Sequence, residues 1–255
     1  MDEKKWTVCV TTAPRRECTC VATLESLEDC GWNPVVFAEP GSSPTGDRVR
    51  FDNPERLGIW HNWLRAARWA IEQQSDYIMT VQDDTDFHPE SRLLVESTQW
   101  PADAGYISLY TPKHYQQWKD GRPRQTGFYA VKTQSMWGAM ALVFTPSVLE
   151  RIVTHPRAIN WSGIKPKNRK FQAKVMENRK LEPWRVQNSD FIIARIIQKH
   201  LGLKLYYYNP SPCTHTSMYS TVKHGSNDGK RNAFYVADPS IPLALQVFNG
   251  TVLCR

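Results

Sequence analysis

The chain has 255 residues, of which 41% are hydrophobic and 22% charged, and its formal net charge is +7. This length allows a sizeable buried core, and the 10 Trp, 10 Tyr and 9 Phe side chains argue against disorder. Gly and Pro, at 13 and 17 residues, are ordinary in number, which excludes collagen-like and low-complexity chains.

The first half of the chain alternates between predicted strands and helices. Thr7–Thr12 predicts a strand, and residues 17–30 carry apolar side chains at helical spacing. Pro34–Ala38 predicts a second strand, and residues 39–53 are rich in Pro, Gly and Ser, which predicts a loop. Residues 55–74 are predicted to form an amphipathic helix.

The second half continues this alternation, with a polar loop predicted at residues 111–135. Its predicted strands are Tyr77–Val81, Tyr106–Tyr110, Trp137–Phe144 and Leu203–Tyr208, and its predicted helices are Pro89–Ser97, Pro146–Val153 and Asp190–Leu201. The alternation predicts one α/β domain with a mainly parallel central sheet and helices on both faces. Ligands bind such sheets at the carboxyl ends of the strands.

Three carboxylates, Asp83, Asp84 and Asp86, follow the strand predicted at Tyr77–Val81, and we call them the acid cluster. Like charges this close repel one another and raise their pKa values unless a cation neutralises them. A hard divalent ion such as Mg²⁺ or Mn²⁺ prefers oxygen ligands and completes its shell with water and phosphate oxygens. Asp84 and Asp86 are therefore predicted to share one ion and hold a diphosphate. The alternative is a solvated acidic turn before the next helix.

Further motifs surround this cluster in a definite order. They are Thr11-Thr12-Ala13-Pro14-Arg15, Thr23-Leu24-Glu25-Ser26-Leu27, Gly58 with Asn62, Asp84-Thr85-Asp86, Trp137-Gly138-Ala139-Met140, and Pro210-Ser211-Pro212-Cys213-Thr214-His215 with Ser220. In this order they resemble the GT-A fold glycosyltransferases, over about residues 5–221. Ser217 stands where that family usually has glycine. The resemblance implies a single Rossmann-like domain that uses a nucleotide-diphosphate sugar as donor, with residues 1–110 as the donor half, 111–221 as the acceptor half and 222–255 as a C-terminal extension.

The resemblance also implies roles for individual residues. His215 would join Asp84 and Asp86 as a ligand of Mn²⁺ or Mg²⁺. The residues expected on the nucleotide are Thr11, Thr12, Arg15, Glu39, Asn62 and Asp83. Asp190 would be the catalytic base that deprotonates the acceptor hydroxyl in an inverting transfer. The alternative for Asp190 is a purely structural role, because an acid at a helix N-terminus is stabilising by about 0.3–1 kcal/mol without any catalysis.

Positive charge is concentrated in two segments. Residues 165–180 carry seven Lys and Arg side chains against one acid, and residues 113–124 carry four against one. Such segments bind phosphates without reading sequence, and nearby aromatic rings can stack on unpaired bases. The predicted acceptor is therefore a polyanion, with a hydroxymethylated pyrimidine base in DNA, such as viral DNA, as the specific choice. The contacts to DNA are predicted at Lys165, Lys167, Arg169 and Lys170.

Other interpretations stay open. A glycosyltransferase of this kind can instead act on a surface saccharide or a lipid-linked sugar at the inner membrane face, where basic segments meet anionic lipid. Nucleotidyltransferases also pair such a sheet with carboxylate-bound Mg²⁺, but they favour a Gly-rich loop after the first strand, where this chain has Thr12-Ala13-Pro14-Arg15. A non-catalytic nucleic-acid-binding module is the third alternative.

A cytoplasmic location is expected, including the host cytoplasm for a viral protein. The sequence has no run of about 18 apolar residues, so no transmembrane helix is predicted. Its first residues are charged and lack the apolar stretch of a secretory signal. The six cysteines do not suggest a disulfide framework and are interpreted as free thiols.

Overall fold

The computed structural model describes residues 4–15, 18–111, 127–131, 138–161 and 189–216. The strands in these ranges are β1 (Trp6–Thr12), β2 (Pro34–Ala38), β3 (Arg50–Asp52), β4 (Tyr77–Gln82), β5 (Thr85–Phe87), β6 (Ala104–Ser108), β7 (Gly127–Ala130), β8 (Ala141–Phe144), β9 (Lys204–Asn209) and β10 (Cys213–His215). The helices are α1 (Cys20–Asp29), α2 (Gly58–Glu72), α3 (Ser91–Ser97), α4 (Pro146–Val153), α5 (Pro156–Ile159) and α6 (Ser189–His200).

Eight of the described strands form one central sheet in the order β3-β2-β1-β4-β8-β6-β9-β7. The strands β3, β2, β1 and β4 are mutually parallel, and β6 runs in the same direction because both it and β4 are antiparallel to β8. Strand β9 is parallel to β6, whereas β7 is antiparallel to β9. The sheet is thus mainly parallel with two reversed strands, which confirms the predicted class.

A hydrophobic core lies on each face of this sheet. Because successive side chains of a strand point to opposite faces, Cys9 and Ile78 pack with α2 on one face, whereas Val10 and Met79 pack with α1 on the other. Helices α4 and α6 join the α2 face. Helices therefore cover both faces, as the alternating pattern predicts.

Helix α6 lies directly against strand β6. A Cβ atom placed on Gly105 of β6 would lie 2.1 Å from Ile197 Cγ2 of α6, so only glycine permits this approach. Since Asp190 belongs to the first turn of α6, this close packing helps to fix the position of its side chain relative to the sheet.

Most of the longer elements are close to their predicted bounds, and β2 and α4 match them. The strand predicted at Trp137–Phe144 is shorter than expected and is observed at Ala141–Phe144. The short strands β3, β5, β7 and β10 and the one-turn helix α5 were not predicted, because three or four residues carry too little periodicity. The strand predicted at Tyr106–Tyr110 is wrong at both ends and is observed at Ala104–Ser108. It ends early because Tyr110 pairs with Cys213 of β10 instead.

None of the described helices is both long and apolar enough to cross a membrane. The five cysteines in the described ranges are free thiols, as predicted: Cys9, Cys18, Cys20, Cys30 and Cys213. The basic segments 113–124 and 165–180, Trp137 and the predicted extension 222–255 lie outside the described residues.

Candidate functional site

The candidate site lies where β1 and β4 end, at the carboxyl edge of the sheet. The register pairs Thr11 of β1 with Gln82 of β4, so the segments that follow these strands are neighbours. After β1 the chain continues to β2 on one side, whereas β4 lies on the other side. This edge is therefore a topological switch point, the usual ligand-binding position in α/β sheets.

A buried ion cluster occupies this point. Arg15 lies in the segment that follows β1. Its guanidinium contacts Asp84 Oδ2 through Nη1 at 2.5 Å and pairs with Asp83 Oδ1 through Nη2. Thr12 Oγ1 donates to Asp83 Oδ2 at 2.5 Å. His215 Nε2 lies 3.1 Å from Asp84 Oδ2. Five of the predicted site residues are thereby brought into contact: Thr12, Arg15, Asp83, Asp84 and His215.

The surroundings shift the pKa values of the two carboxyls in opposite directions, raising that of Asp83 and lowering that of Asp84. Burial is the main cause that raises the pKa of the Asp83 carboxyl, and it outweighs the opposing influence of Arg15. Burial acts in the same direction on Asp84, but the hydrogen bond from His215 and the charge of Arg15 hold the pKa of Asp84 below its ordinary value. Burial disfavours the Arg15 cation, yet Asp83 and Asp84 raise the pKa of its guanidinium, so it stays protonated. Asp84 is therefore the carboxylate that is kept ionised.

Two buried polar atoms of this cluster have no hydrogen-bond partner among the residues that the structure describes. They are Asp84 Oδ1, an acceptor, and Arg15 Nε, a donor. Asp84 as a whole is only 4% exposed. Because buried polar groups usually have a hydrogen-bond partner, this acceptor and this donor are the atoms of the ion cluster that remain available to a ligand.

The predicted metal ligands are only partly brought together. Asp84 and His215 are in contact, whereas Asp86 lies on β5 with an exposed side chain. Among the described residues, no three His, Cys, Asp or Glu side chains are arranged to hold a metal ion by themselves. The unpartnered Asp84 Oδ1 nevertheless fits a hard cation, because Mg²⁺ commonly takes one or two carboxylates and fills its shell with water and phosphate.

The backbone of the acid cluster is held by helix α1. Thr23 Oγ1 accepts a hydrogen bond from Thr85 N at 3.0 Å, and Ser26 Oγ accepts one from Phe87 N at 3.3 Å. These hydroxyls satisfy two backbone N–H groups of β5. Leu24 of the same helix is fully buried in the core. The Thr23–Leu27 motif thus joins the core to the segment that carries the carboxylates.

Strand β10 brings His215 to the cluster from far along the chain. It pairs antiparallel with β5, and Thr216 N donates to Asp84 O at 2.9 Å. Just before β10, the buried Ser211 accepts from Thr111 N at 3.0 Å and donates to Cys213 O at 2.7 Å. The position of His215 therefore depends on backbone pairing with the acid cluster itself.

Glu39 and Asn62 form a second network beside β2. Glu39, at the end of β2, accepts from Leu57 N and Gly58 N at 3.0 Å each, and burial raises the pKa of its carboxyl. Gly58 has φ +83° at this start of α2, a conformation that favours glycine. Asn62 Nδ2 donates to Phe37 O at 3.0 Å. These contacts hold α2 on the sheet, and the expected contacts of both residues with a nucleotide stay predictions.

Asp190 lies at the same edge of the sheet, in the first turn of α6. Its Oδ2 accepts from Gly138 N at 2.9 Å and its Oδ1 from Phe191 N at 2.8 Å. Gly138 has φ +93°, and a Cβ atom there would lie 3.3 Å from Tyr110. Two residues on, Met140 O accepts from Gln82 N at 2.8 Å. The segment 138–140 therefore connects Asp190 to the end of β4, directly before the acid cluster.

The other predicted site residues are Thr11 and the basic residues expected to contact DNA. Thr11 is half-buried near the end of β1, where its hydroxyl donates to Val81 O at 3.4 Å. The predicted DNA contacts Lys165, Lys167, Arg169 and Lys170 lie outside the described residues. Sequence reasoning missed the supporting roles of Thr23, Ser26 and Gly138. Hydroxyl side chains on the apolar stripe of α1 are the signal that points to the first two.

No family model and no curated protein matches this chain. Among solved structures, it is similar to the crystal structure of A197 from STIV, with 8% identity over 84% of this chain and 86% of that one. The TM-score of 0.44 is too low for this similarity to assign a function.

Replacement of Thr23 by Val should destabilise the protein. Valine has nearly the same shape but cannot accept the hydrogen bond from Thr85 N, so a buried N–H group loses its partner at a cost of about 1–3 kcal/mol. Thr23→Ser keeps the hydroxyl and is the matched control, with a smaller loss. Urea unfolding measures both variants. Equal losses in the two would show that the hydroxyl does not hold β5.

Proposed function

We propose that this protein is a metal-dependent glycosyltransferase of the GT-A type. It would move a hexosyl or pentosyl group from a nucleotide-diphosphate sugar to an acceptor hydroxyl. The observation that carries the proposal is the pair of unpartnered atoms at the switch point, Asp84 Oδ1 and Arg15 Nε. This combination matches a cation bound to a diphosphate, because the cation can take the carboxylate oxygen and a phosphate oxygen can accept from the guanidinium.

The donor half of the site would bind the nucleotide diphosphate. The loop after β1 offers the forked donors of Arg15 and the hydroxyls of Thr11 and Thr12, with Asp83 fixing the orientation of Arg15. Mn²⁺ or Mg²⁺, held by Asp84 with Asp86 and His215, would supply positive charge that stabilises the departing diphosphate. His215 and Arg15 both contact Asp84, which supports a shared role of these three residues at the diphosphate.

Asp190 would act on the acceptor. In an inverting transfer the acceptor oxygen forms a bond to the anomeric carbon, and the bond from that carbon to the diphosphate oxygen breaks. The electron pair of the broken bond leaves with the diphosphate, and the proton of the acceptor hydroxyl passes to the Asp190 carboxylate. Gly138 N donates to Asp190 Oδ2 and Phe191 N donates to Asp190 Oδ1, and these backbone hydrogen bonds hold the carboxylate that would receive the hydroxyl proton.

The proposed acceptor is a hydroxymethylated pyrimidine in DNA, modified in the cytoplasm. It is supported by the seven basic side chains of residues 165–180, which precede the helix that carries Asp190. If the target base is paired, it has to leave the stack to reach a buried site. A surface saccharide or lipid-linked acceptor is the competing outcome of the acceptor test below.

Asp84→Asn should abolish Mn²⁺-dependent binding of the donor. The substitution keeps the shape but removes the charge that the cation and Arg15 both use. Titration calorimetry with a panel of nucleotide-diphosphate sugars, with and without Mn²⁺, measures the loss. Asp29→Asn, at the exposed end of α1, is the matched control. Donor binding that survives Asp84→Asn unchanged would remove the basis of the proposal.

Asp190→Asn should lower kcat by about 10²–10⁴-fold and leave donor affinity within about twofold, because a general base acts mainly in the transition state. Steady-state transfer and donor titration measure the two quantities, and the thermal midpoint checks that α6 is intact. Asp190→Glu keeps a carboxylate and should restore part of the activity. Full turnover by Asp190→Asn would rule out Asp190 as the base.

Replacing Lys165, Lys167, Arg169 and Lys170 with Gln should weaken DNA binding and flatten its salt dependence. Each lost phosphate contact lowers the slope of log affinity against log salt by about 0.9 for duplex DNA. Fluorescence anisotropy at several salt concentrations gives this slope. Lys4→Gln, next to the opposite end of β1, is the control. Unchanged slopes, with transfer to a saccharide acceptor instead, would contradict DNA as the acceptor.

A further inference from the structure

Arg15 supplies a positive charge to the acid cluster. It pairs with both Asp83 and Asp84, and its side chain is 11% exposed. Three of the four oxygens of these two carboxylates are engaged by Arg15, Thr12 or His215, and Asp84 Oδ1 is the remaining one. A divalent ion that binds Asp84 must therefore share this carboxylate with a guanidinium.

It is unfavourable for Arg15 and a divalent ion to share the Asp84 carboxylate when no phosphate group is bound. Two positive groups close to one buried carboxylate repel each other, and the low-dielectric surroundings strengthen that repulsion. A diphosphate changes the balance, because its oxygens provide new partners for the guanidinium, including its unpartnered Nε. Arg15 can then turn part of its charge toward the phosphates and leave Asp84 to the metal ion.

We propose that Arg15 is an internal counter-ion that makes metal binding depend on the nucleotide diphosphate. The inference rests on the proposed function and adds to it an order of binding. The metal ion alone binds weakly, and the metal ion with the diphosphate binds tightly. By linkage, the factor by which the diphosphate tightens metal binding equals the factor by which the metal tightens diphosphate binding.

The test measures binding of Mn²⁺ alone to the full chain, by electron paramagnetic resonance of free Mn²⁺. Arg15→Gln removes the competing cation and should tighten Mn²⁺ binding by about 5- to 150-fold, the usual range of coupling between two sites. The thermal midpoint is a second measurement. Arg15→Gln should be less stable than the natural chain, because two buried carboxylates lose their partner, and Mn²⁺ should restore more of its stability.

Two further variants keep the test decisive. Arg15→Lys retains the charge but loses the planar fork of donors that pairs with the two carboxylates, so it should bind Mn²⁺ with intermediate affinity even if Arg15→Gln fails to fold. Arg92→Gln breaks a different ion pair, with Glu96, and should leave Mn²⁺ affinity unchanged. In the natural chain, a nucleoside diphosphate should tighten Mn²⁺ binding more than it does in Arg15→Gln.

The outcomes separate the inference from the function on which it rests. Equal or weaker Mn²⁺ binding by the Arg15 variants overturns the counter-ion role and leaves the proposed metal site intact. If neither the natural chain nor the variants bind Mn²⁺, with or without a nucleoside diphosphate, the proposed metal dependence fails and the counter-ion role fails with it.

Discussion

The ion pairs of Arg15 with Asp83 and Asp84 are the interaction on which the site depends. Two adjacent carboxylates, 2% and 4% exposed, cannot both stay ionised without a positive partner. Arg15 is that partner, 69 residues from Asp84 along the chain, and the pairing of β1 with β4 brings the two together. The register of β1 against β4 therefore places Arg15 beside the two carboxylates. The resulting ion pairs in turn hold the segment after β1 against the segment after β4.

Backbone contacts support this ion cluster from outside. Helix α1 packs Leu24 into the core and uses Thr23 and Ser26 to satisfy N–H groups of β5. Strand β10 pairs with β5 and places His215 beside the acid cluster. The two-stranded ribbon of β5 and β10 is short, and it depends on α1 for part of its hydrogen bonding. A change on the buried face of α1 would therefore alter the acid cluster without touching a carboxylate.

The sequence predicted those parts of the structure that depend on local patterns. The periodicity of residues 34–38 and 146–153 gives β2 and α4, and a buried strand followed by acids places the acid cluster at the sheet edge. Contacts between distant residues could not be predicted in this way. Neither the partner of Arg15 nor the contact of Glu39 with the start of α2 has a local signature. The reversed direction of β8 was not predicted either, because strand direction depends on pairing rather than on composition.

The segment 138–140 joins the two halves of the proposed reaction. Met140 O accepts from Gln82 N at the end of β4, and Gly138 N donates to Asp190 at the start of α6. The proposed base and the acid cluster are therefore anchored to opposite ends of the same three residues. Catalysis by positioning requires reacting groups to be held in fixed relative geometry before the substrate arrives. A short, glycine-dependent connection provides this, because any shift of the segment would move Asp190 relative to the carboxylates that follow β4.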